Sequence, residues 1–235
     1  MNDVLDVKSA IKETLPTVFG YLGIGIAFGV VGKASGLSVL SLLLTSLLIY
    51  AGSAQFIVVS MLLGFSPILS IMFAVFLVNS RMILMSTTLA PYFKTESLVK
   101  NILVGTFLTD ESFALGVSKL NYTNGVLNFR WFNVVNIISY LTWCVATLIG
   151  ALVGNFLTNP EKFGLDFAIV AMFIGLLLLQ IDGDKILPKK LQYVMVFVTF
   201  VLIYVGFIFI PSNILILLVT LLGCGIGVVI KRVFY

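Results

Sequence analysis

Three short groups of polar residues interrupt apolar stretches in the first half of the chain. They are the segments 51–56 (AGSAQF), 79–81 (NSR) and 109–112 (TDES). An amino-acid zwitterion needs a cation or free N–H groups for its carboxylate, a carboxylate for its ammonium and an apolar wall for its side chain. The three groups supply the polar part of such a site. Four phenylalanines are candidates for the wall: Phe19, Phe28, Phe56 and Phe113.

The first group lies in the middle of a long apolar stretch, where a membrane helix should be most regular. Glycine and serine beside a glutamine weaken a helix, so we expect this one to be broken at Gly52–Gln55. A broken helix exposes backbone N–H groups that can hold a carboxylate, which makes Gly52, Ser53 and Gln55 candidate substrate ligands. The alternative is a packing face of small residues, with Gln55 hydrogen-bonded to a neighbouring helix.

Arg81 lies near the centre of the next apolar stretch. An arginine at that depth usually faces the interior of a helix bundle and pairs with an acid. We expect Arg81 and the nearby Asn79 to bind substrate. A structural ion pair that fixes helix register is the alternative.

Asp110 and Glu111 are adjacent, so on a helix they point about 100° apart. One could pair with Arg81 while the other faces a cavity, and the sequence leaves open which does so; both could also be structural. We take Asp110 as a substrate ligand. The chain has no histidine, so a proton that drives transport would be carried by Asp110 or Glu111. A substrate that competes for Arg81 would free the acid to take up that proton.

Membrane helices must position these groups. The chain has 235 residues, of which 60% are hydrophobic and 10% charged, and its mean hydropathy is +1.16. Soluble domains carry about 25% charged residues, so the composition argues against a soluble enzyme, a disordered chain and a coiled coil. We expect an all-α polytopic membrane protein of about eight transmembrane helices, with seven or nine left open. The chain would form a single transmembrane transporter domain, 1–235, with a short cytoplasmic tail at 1–14.

The predicted spans are 15–32, 38–63, 67–90, 101–118, 131–156, 166–181, 191–210 and 212–230. If each crosses the bilayer, nine lysines and arginines lie on the side of the N-terminus. Four lie on the other side: Lys33, Lys94, Lys100 and Lys162. Such residues concentrate in cytoplasmic loops, so both termini are expected in the cytoplasm. The scattered basic residues do not indicate nucleic-acid binding, and we expect neither a metal nor a cofactor.

The order of the motifs resembles one family. Pro16, Gly20, Gly25 and Phe28–Gly29 come first, followed by 51–56, 79–81 and 108–113, then by 165–168 and 171–173. The pattern is similar to the AzlC family of branched-chain amino-acid transport proteins over nearly the whole chain, most specifically between residues 16 and 113. Two positions depart from it: Met82 stands where the family often has histidine, and Ile169–Val170 where it often has a proline.

The resemblance implies a secondary exporter in the bacterial inner membrane, with leucine, isoleucine, valine and analogues such as azaleucine as substrates. It also implies a second, smaller membrane subunit of the AzlD type. The membrane permease subunit of an ATP-driven amino-acid transporter is the alternative, although the short loops show no segment for docking an ATPase. An intramembrane enzyme with Asp110 and Glu111 as acid and base ranks below both. The sequence offers it no histidine, no cluster of metal ligands and no motif for a nucleophile.

Overall fold

The computed structural model describes residues 1–156, 174–175, 177–178, 181–182, 187–210 and 212–234. Within these residues every regular element is a helix, which confirms the all-α expectation. The chain divides into two compact units, Met1–Leu177 and Leu178–Tyr235. The single-domain expectation stays a prediction. The sixth predicted span and the motif at 165–173 lie largely outside the described residues.

The first unit contains α1 (Val7–Ala34), α2 (Val39–Leu48), α3 (Gly52–Leu63), α4 (Ile68–Asn79), α5 (Arg81–Leu89), α6 (Leu98–Thr106), α7 (Asp110–Tyr122) and α8 (Phe129–Val153). Short 3-10 turns follow α5 and α8, at Ala90–Phe93 and Gly154–Phe156. The second unit contains α9 (Lys189–Phe209) and α10 (Ser212–Phe234). These two helices pack antiparallel, with Gly206 against Leu215 and Gly227 against Met195.

α1 begins well before the apolar run. The Asp6 carboxylate accepts a hydrogen bond from the Ser9 backbone N–H at 2.7 Å and caps the helix. This bond satisfies one of the free N–H groups of the first turn, and residues 7–14 of the predicted tail are helical. The polar end of α1 thereby becomes part of the fold.

α1 and α8 pack along one another as parallel helices. Tyr21 packs against Trp143 and, further along both helices, Lys33 packs against Gly154. The helices approach closely, because a Cβ atom on Gly150 would collide with the backbone of α1. Parallel helices start at the same face of the membrane, so the chain between α1 and α8 makes an odd number of crossings.

α2 and α3 form a hairpin that returns to the end where α2 began. The chain reverses at residues 49–51, where Tyr50 has φ +38°. The side chains of Gln55 and Ser46 lie 3.0 Å apart across nine residues, which a continuous helix would separate by about 13 Å. Phe56 then comes back to Phe28 of α1, with ring centroids 5.0 Å apart. The second predicted span is therefore a helical hairpin and not one continuous helix.

α6 and α7 form a second hairpin, which enters from the opposite end. Lys100 near the start of α6 and Lys119 near the end of α7 both lie 5.2 Å from the centroids of aromatic rings in the first turn of α8. The turn between the arms, 107–109, lies deeper, where Phe107 packs against Tyr140. The fourth predicted span is therefore a helical hairpin as well.

α4 and α5 together provide the crossing between the hairpins. The helix interrupted at Ser80 ends at Phe93, whose ring lies 5.5 Å from that of Phe132 near the start of α8. Among the described residues, four helices are long and apolar enough to cross a membrane: α1, Ile68–Phe93, α8 and α9. The break in the second span falls at 49–51, just before the predicted position, and Gly52–Gln55 forms the first turn of α3.

Candidate functional site

One pocket in the first unit lies where the two hairpin tips meet the interruption of α4–α5. Its lining residues are Tyr21, Tyr50, Ala51, Gly52, Ser53, Arg81, Met82, Thr109, Asp110, Glu111 and Trp143. Three of its helices begin there: α3 at Gly52, α5 at Arg81 and α7 at Asp110. Helix N-termini carry partial positive charge, so the pocket attracts anionic groups. Its volume is about 30 Å³, enough for about two water molecules.

Arg81 and Asp110 form an ion pair in this pocket. Arg81 Nη2 lies 2.8 Å from Asp110 Oδ2 and donates a longer hydrogen bond of 3.2 Å to Ser53 Oγ. The Asp110 side chain is only 8% exposed, whereas that of Arg81 is 36% exposed, so the pocket is most open on the arginine side. Arg81 Nε is buried and has no hydrogen-bond partner within the described residues. The guanidinium therefore keeps donor capacity for a ligand.

Glu111 has a different set of partners. The Tyr21 hydroxyl donates to Glu111 Oε2 at 2.6 Å and lies 2.9 Å from Thr109 Oγ1. Thr109 and Ser112 cap the start of α7 through reciprocal hydrogen bonds between side chain and backbone. The two adjacent acids thus separate as helix geometry predicts: Asp110 reaches Arg81, and Glu111 reaches α1.

The N-terminus of α3 has no side-chain cap, in contrast to that of α7. Ala51 occupies the N-cap position and provides no side-chain hydrogen bond. The first backbone N–H groups of α3, at Gly52 and Ser53, therefore lie uncapped beside the pocket. A Cβ atom on Gly52 would lie 3.0 Å from the Trp143 ring, so glycine allows the indole to approach this helix end.

Gln55 is completely buried and is bonded to other helices. Its Oε1 accepts a hydrogen bond from the Trp143 indole N–H at 2.7 Å, and its Nε2 donates to Ser46 Oγ at 3.0 Å. Ser46 in turn bonds to Thr147 of α8 at 2.9 Å. These bonds join both arms of the first hairpin to α8. The environment is the one expected for an amide bonded between helices, the alternative considered from the sequence.

The other predicted site residues lie outside the pocket lining. Phe19 is 71% exposed, while Phe28 and Phe56 pack on each other in a separate apolar cluster. Phe113 packs against the cluster around Trp131. Asn79 has a buried Oδ1 without a hydrogen-bond partner in the described part of the chain. Their assignment to substrate stays a prediction.

Sequence reasoning missed six lining residues: Tyr21, Tyr50, Ala51, Met82, Thr109 and Trp143. Thr109 and Met82 adjoin predicted site residues, and Tyr50 immediately precedes the AGSAQF group, so proximity to these motifs was a usable signal. Nothing local marks Tyr21 or Trp143, which reach the pocket because α1 and α8 run parallel.

Comparison with known proteins identifies one family. The family model described as AzlC protein matches residues 16–157, which include every lining residue of the pocket. The chain belongs to the AzlC family.

Among its AzlC relatives is the branched-chain amino acid transport protein AzlC of Bacillus subtilis (strain 168). It is 30% identical over 184 residues, which cover 76% of this chain and 69% of the relative. The inner membrane protein YgaZ of Escherichia coli (strain K12) is 30% identical over 171 residues, covering 71% and 70%. An uncharacterized membrane protein of Archaeoglobus fulgidus is 31% identical over 182 residues, covering 76% and 78%. No solved structure matches. The chain is thus a membrane protein of a transport family.

Proposed function

We propose that this chain is a secondary exporter of branched-chain amino acids and that the pocket between the hairpin tips is its substrate site. The observation that carries the proposal is the arrangement of Arg81 and Asp110 beside the uncapped start of α3. The pocket thus joins donors for a carboxylate to a carboxylate for an ammonium. The similarity to the Bacillus subtilis branched-chain amino acid transport protein supports the substrate class.

In the proposed complex the substrate carboxylate binds the free N–H groups of α3 and the Arg81 guanidinium. The substrate ammonium binds Asp110, the acid nearest to Arg81. Each half of the zwitterion then replaces one half of the internal ion pair, so binding leaves neither protein charge without a partner.

Glu111 is the proposed carrier of a coupled proton. It lines the same pocket, but its hydrogen bond to Tyr21 leaves Asp110 to compensate Arg81. A group that shares the cavity with the substrate and is not needed for the ion pair can change its protonation between transport steps. Both acids were open candidates from the sequence; their partners favour Glu111 for the proton and Asp110 for the substrate.

The hairpins also bear on orientation. Because the second hairpin enters from the end where α1 starts, six basic residues of the described first unit lie at that end: Lys8, Lys12, Lys94, Lys100, Lys119 and Arg130. Lys33 lies at the other end. This bias supports an N-terminus on the cytoplasmic side of a bacterial inner membrane. It is stronger than the sequence suggested, since Lys94 and Lys100 had been assigned to the opposite side.

The test is counterflow of labelled leucine in proteoliposomes, since counterflow needs a carrier but no energy source. Three samples would be compared: this chain alone, this chain with a small AzlD-type partner, and the Asp110→Asn variant of this chain with the same partner. We expect saturable uptake that requires the partner and is lost in the variant. Efflux from loaded cells that stops when ATP is depleted, with the proton gradient kept, would instead indicate a subunit of an ATP-driven transporter.

A further inference from the structure

Trp143 of α8 is a firmly held apolar wall of the pocket. Its indole N–H donates to Gln55 at 2.7 Å, and its ring lies edge-on to Tyr21 with centroids 5.3 Å apart. On its other side it stacks with Phe28 at 6.4 Å. The residue is 3% exposed. A side chain held on several sides by packing and a buried hydrogen bond keeps one rotamer.

Met82 provides a contrasting wall. It lines the same pocket and is only partly buried. In sequence it follows Arg81, the more exposed partner of the ion pair. Methionine is unbranched and flexible, so it can adapt to ligands of different shape. A cavity with room for about two water molecules is too small for an aliphatic side chain of several carbons, so one wall must yield when such a ligand enters.

We infer that Trp143 and Met82 form the subsite for the substrate's aliphatic side chain, with Trp143 as the rigid wall that limits its size and Gln55 as the residue that positions Trp143. The inference rests on the proposed function, since it assigns the side-chain end of the same zwitterion. It replaces the four predicted phenylalanines as the apolar wall. The pocket then has a polar end at Arg81, Ser53 and Asp110 and an apolar end at the indole.

The position of Gln55 explains why an amide is useful there. The same side chain accepts from the indole and donates to Ser46 of the other hairpin arm, so the orientation of Trp143 is linked to the hairpin. Loss of this acceptor would leave the indole N–H buried without a partner and free the ring to rotate. Gln55 is thus a positioning residue, which acts on substrate only through Trp143.

Fluorescence offers a direct test, because the chain contains only two tryptophans. The Trp131→Phe variant leaves Trp143 as the sole tryptophan, and Trp131 lies outside the pocket lining. The purified full chain in lipid nanodiscs would be titrated with leucine, valine, alanine and phenylalanine, with binding of radiolabelled leucine measured in parallel. We expect a saturable change in Trp143 emission with leucine and valine. Alanine, which has three fewer side-chain carbons than leucine, should bind about fifty-fold more weakly.

Two variants separate positioning from general stability. Gln55→Leu should shift the emission of Trp143 and reduce the preference for leucine over phenylalanine, because the ring can move aside. Ser46→Ala removes one bond that Gln55 donates but leaves its longer bond to Thr45 and the bond it accepts from the indole, so it should keep both emission and preference. Labelled leucine that binds without any change in Trp143 emission would overturn the inference. So would an unchanged preference in a Gln55→Leu protein that still binds leucine. Absence of leucine binding by both methods, with the small AzlD-type partner present as well as absent, would overturn the proposed function and the subsite with it.

Discussion

The Arg81 guanidinium lies 2.8 Å from the Asp110 carboxylate although the two residues belong to different kinds of element. Arg81 begins the second half of an interrupted apolar helix, and Asp110 begins the returning arm of the second hairpin. The ion pair therefore ties the tip of that hairpin to the helix beside it. In the proposed complex the substrate takes over both charges and this tie is lost, while the Tyr21 hydroxyl still holds Glu111 of the same hairpin to α1.

Asp110→Asn should abolish most transport. The substitution keeps the size of the side chain but leaves Arg81 without its acid and the substrate ammonium without a carboxylate. We expect leucine counterflow to fall by about a hundredfold or more. The matched control is Glu96→Gln, which removes a partly exposed ion pair with Lys100 outside the pocket lining and should leave counterflow unchanged. Exchange at the normal rate in Asp110→Asn would contradict the site.

Glu111→Gln should separate exchange from energy coupling. The amide can still accept the Tyr21 hydrogen bond but cannot release a proton. We therefore expect leucine counterflow to persist while leucine accumulation driven by an imposed pH gradient is lost. Tyr21→Phe is the control, because it removes the hydrogen bond and leaves the acid in place. Gradient-driven accumulation at the normal level in Glu111→Gln would assign the proton elsewhere.

The hairpins can be tested by labelling single cysteines with a membrane-impermeant maleimide after replacing Cys144 and Cys224 by alanine. Ser35→Cys and Ser66→Cys flank the first hairpin and should react from one side of the membrane. Ser97→Cys and Asn121→Cys mark the base of the second hairpin and should react from the other side. Reaction of the first pair from opposite sides would mean that α2–α3 crosses the bilayer.

Much of the fold and site could be predicted because burial of polar groups in an apolar stretch is costly. Arg81, Ser53 and Asp110 stood out on that ground, and they meet in one pocket. The hairpins were missed because two short apolar helices have the same length and composition as one crossing. Only contacts across the turn, such as Gln55 with Ser46, reveal the reversal. The role of Lys119 was missed because it follows the predicted span 101–118 and was therefore counted among the nine basic loop residues on the side of the N-terminus. In the structure it is fully buried.

Lys119→Met should destabilise the protein, and a second change should restore part of the loss. The Lys119 ammonium bonds to both carboxylate oxygens of Glu13, at 2.8 and 3.0 Å, and to Ser9 Oγ at 3.1 Å. These bonds fasten the returning arm of the second hairpin to α1. The single substitution leaves Glu13 buried without a cation, so we expect a loss of about 3–5 kcal/mol. The double variant Lys119→Met with Glu13→Gln removes both charges and should recover much of the lost stability.

The measurement is thermal unfolding in detergent. Lys8→Met, at an exposed lysine, is the control. A double variant whose unfolding temperature is no higher than that of the single variant would show that Glu13 does not compensate the charge of Lys119.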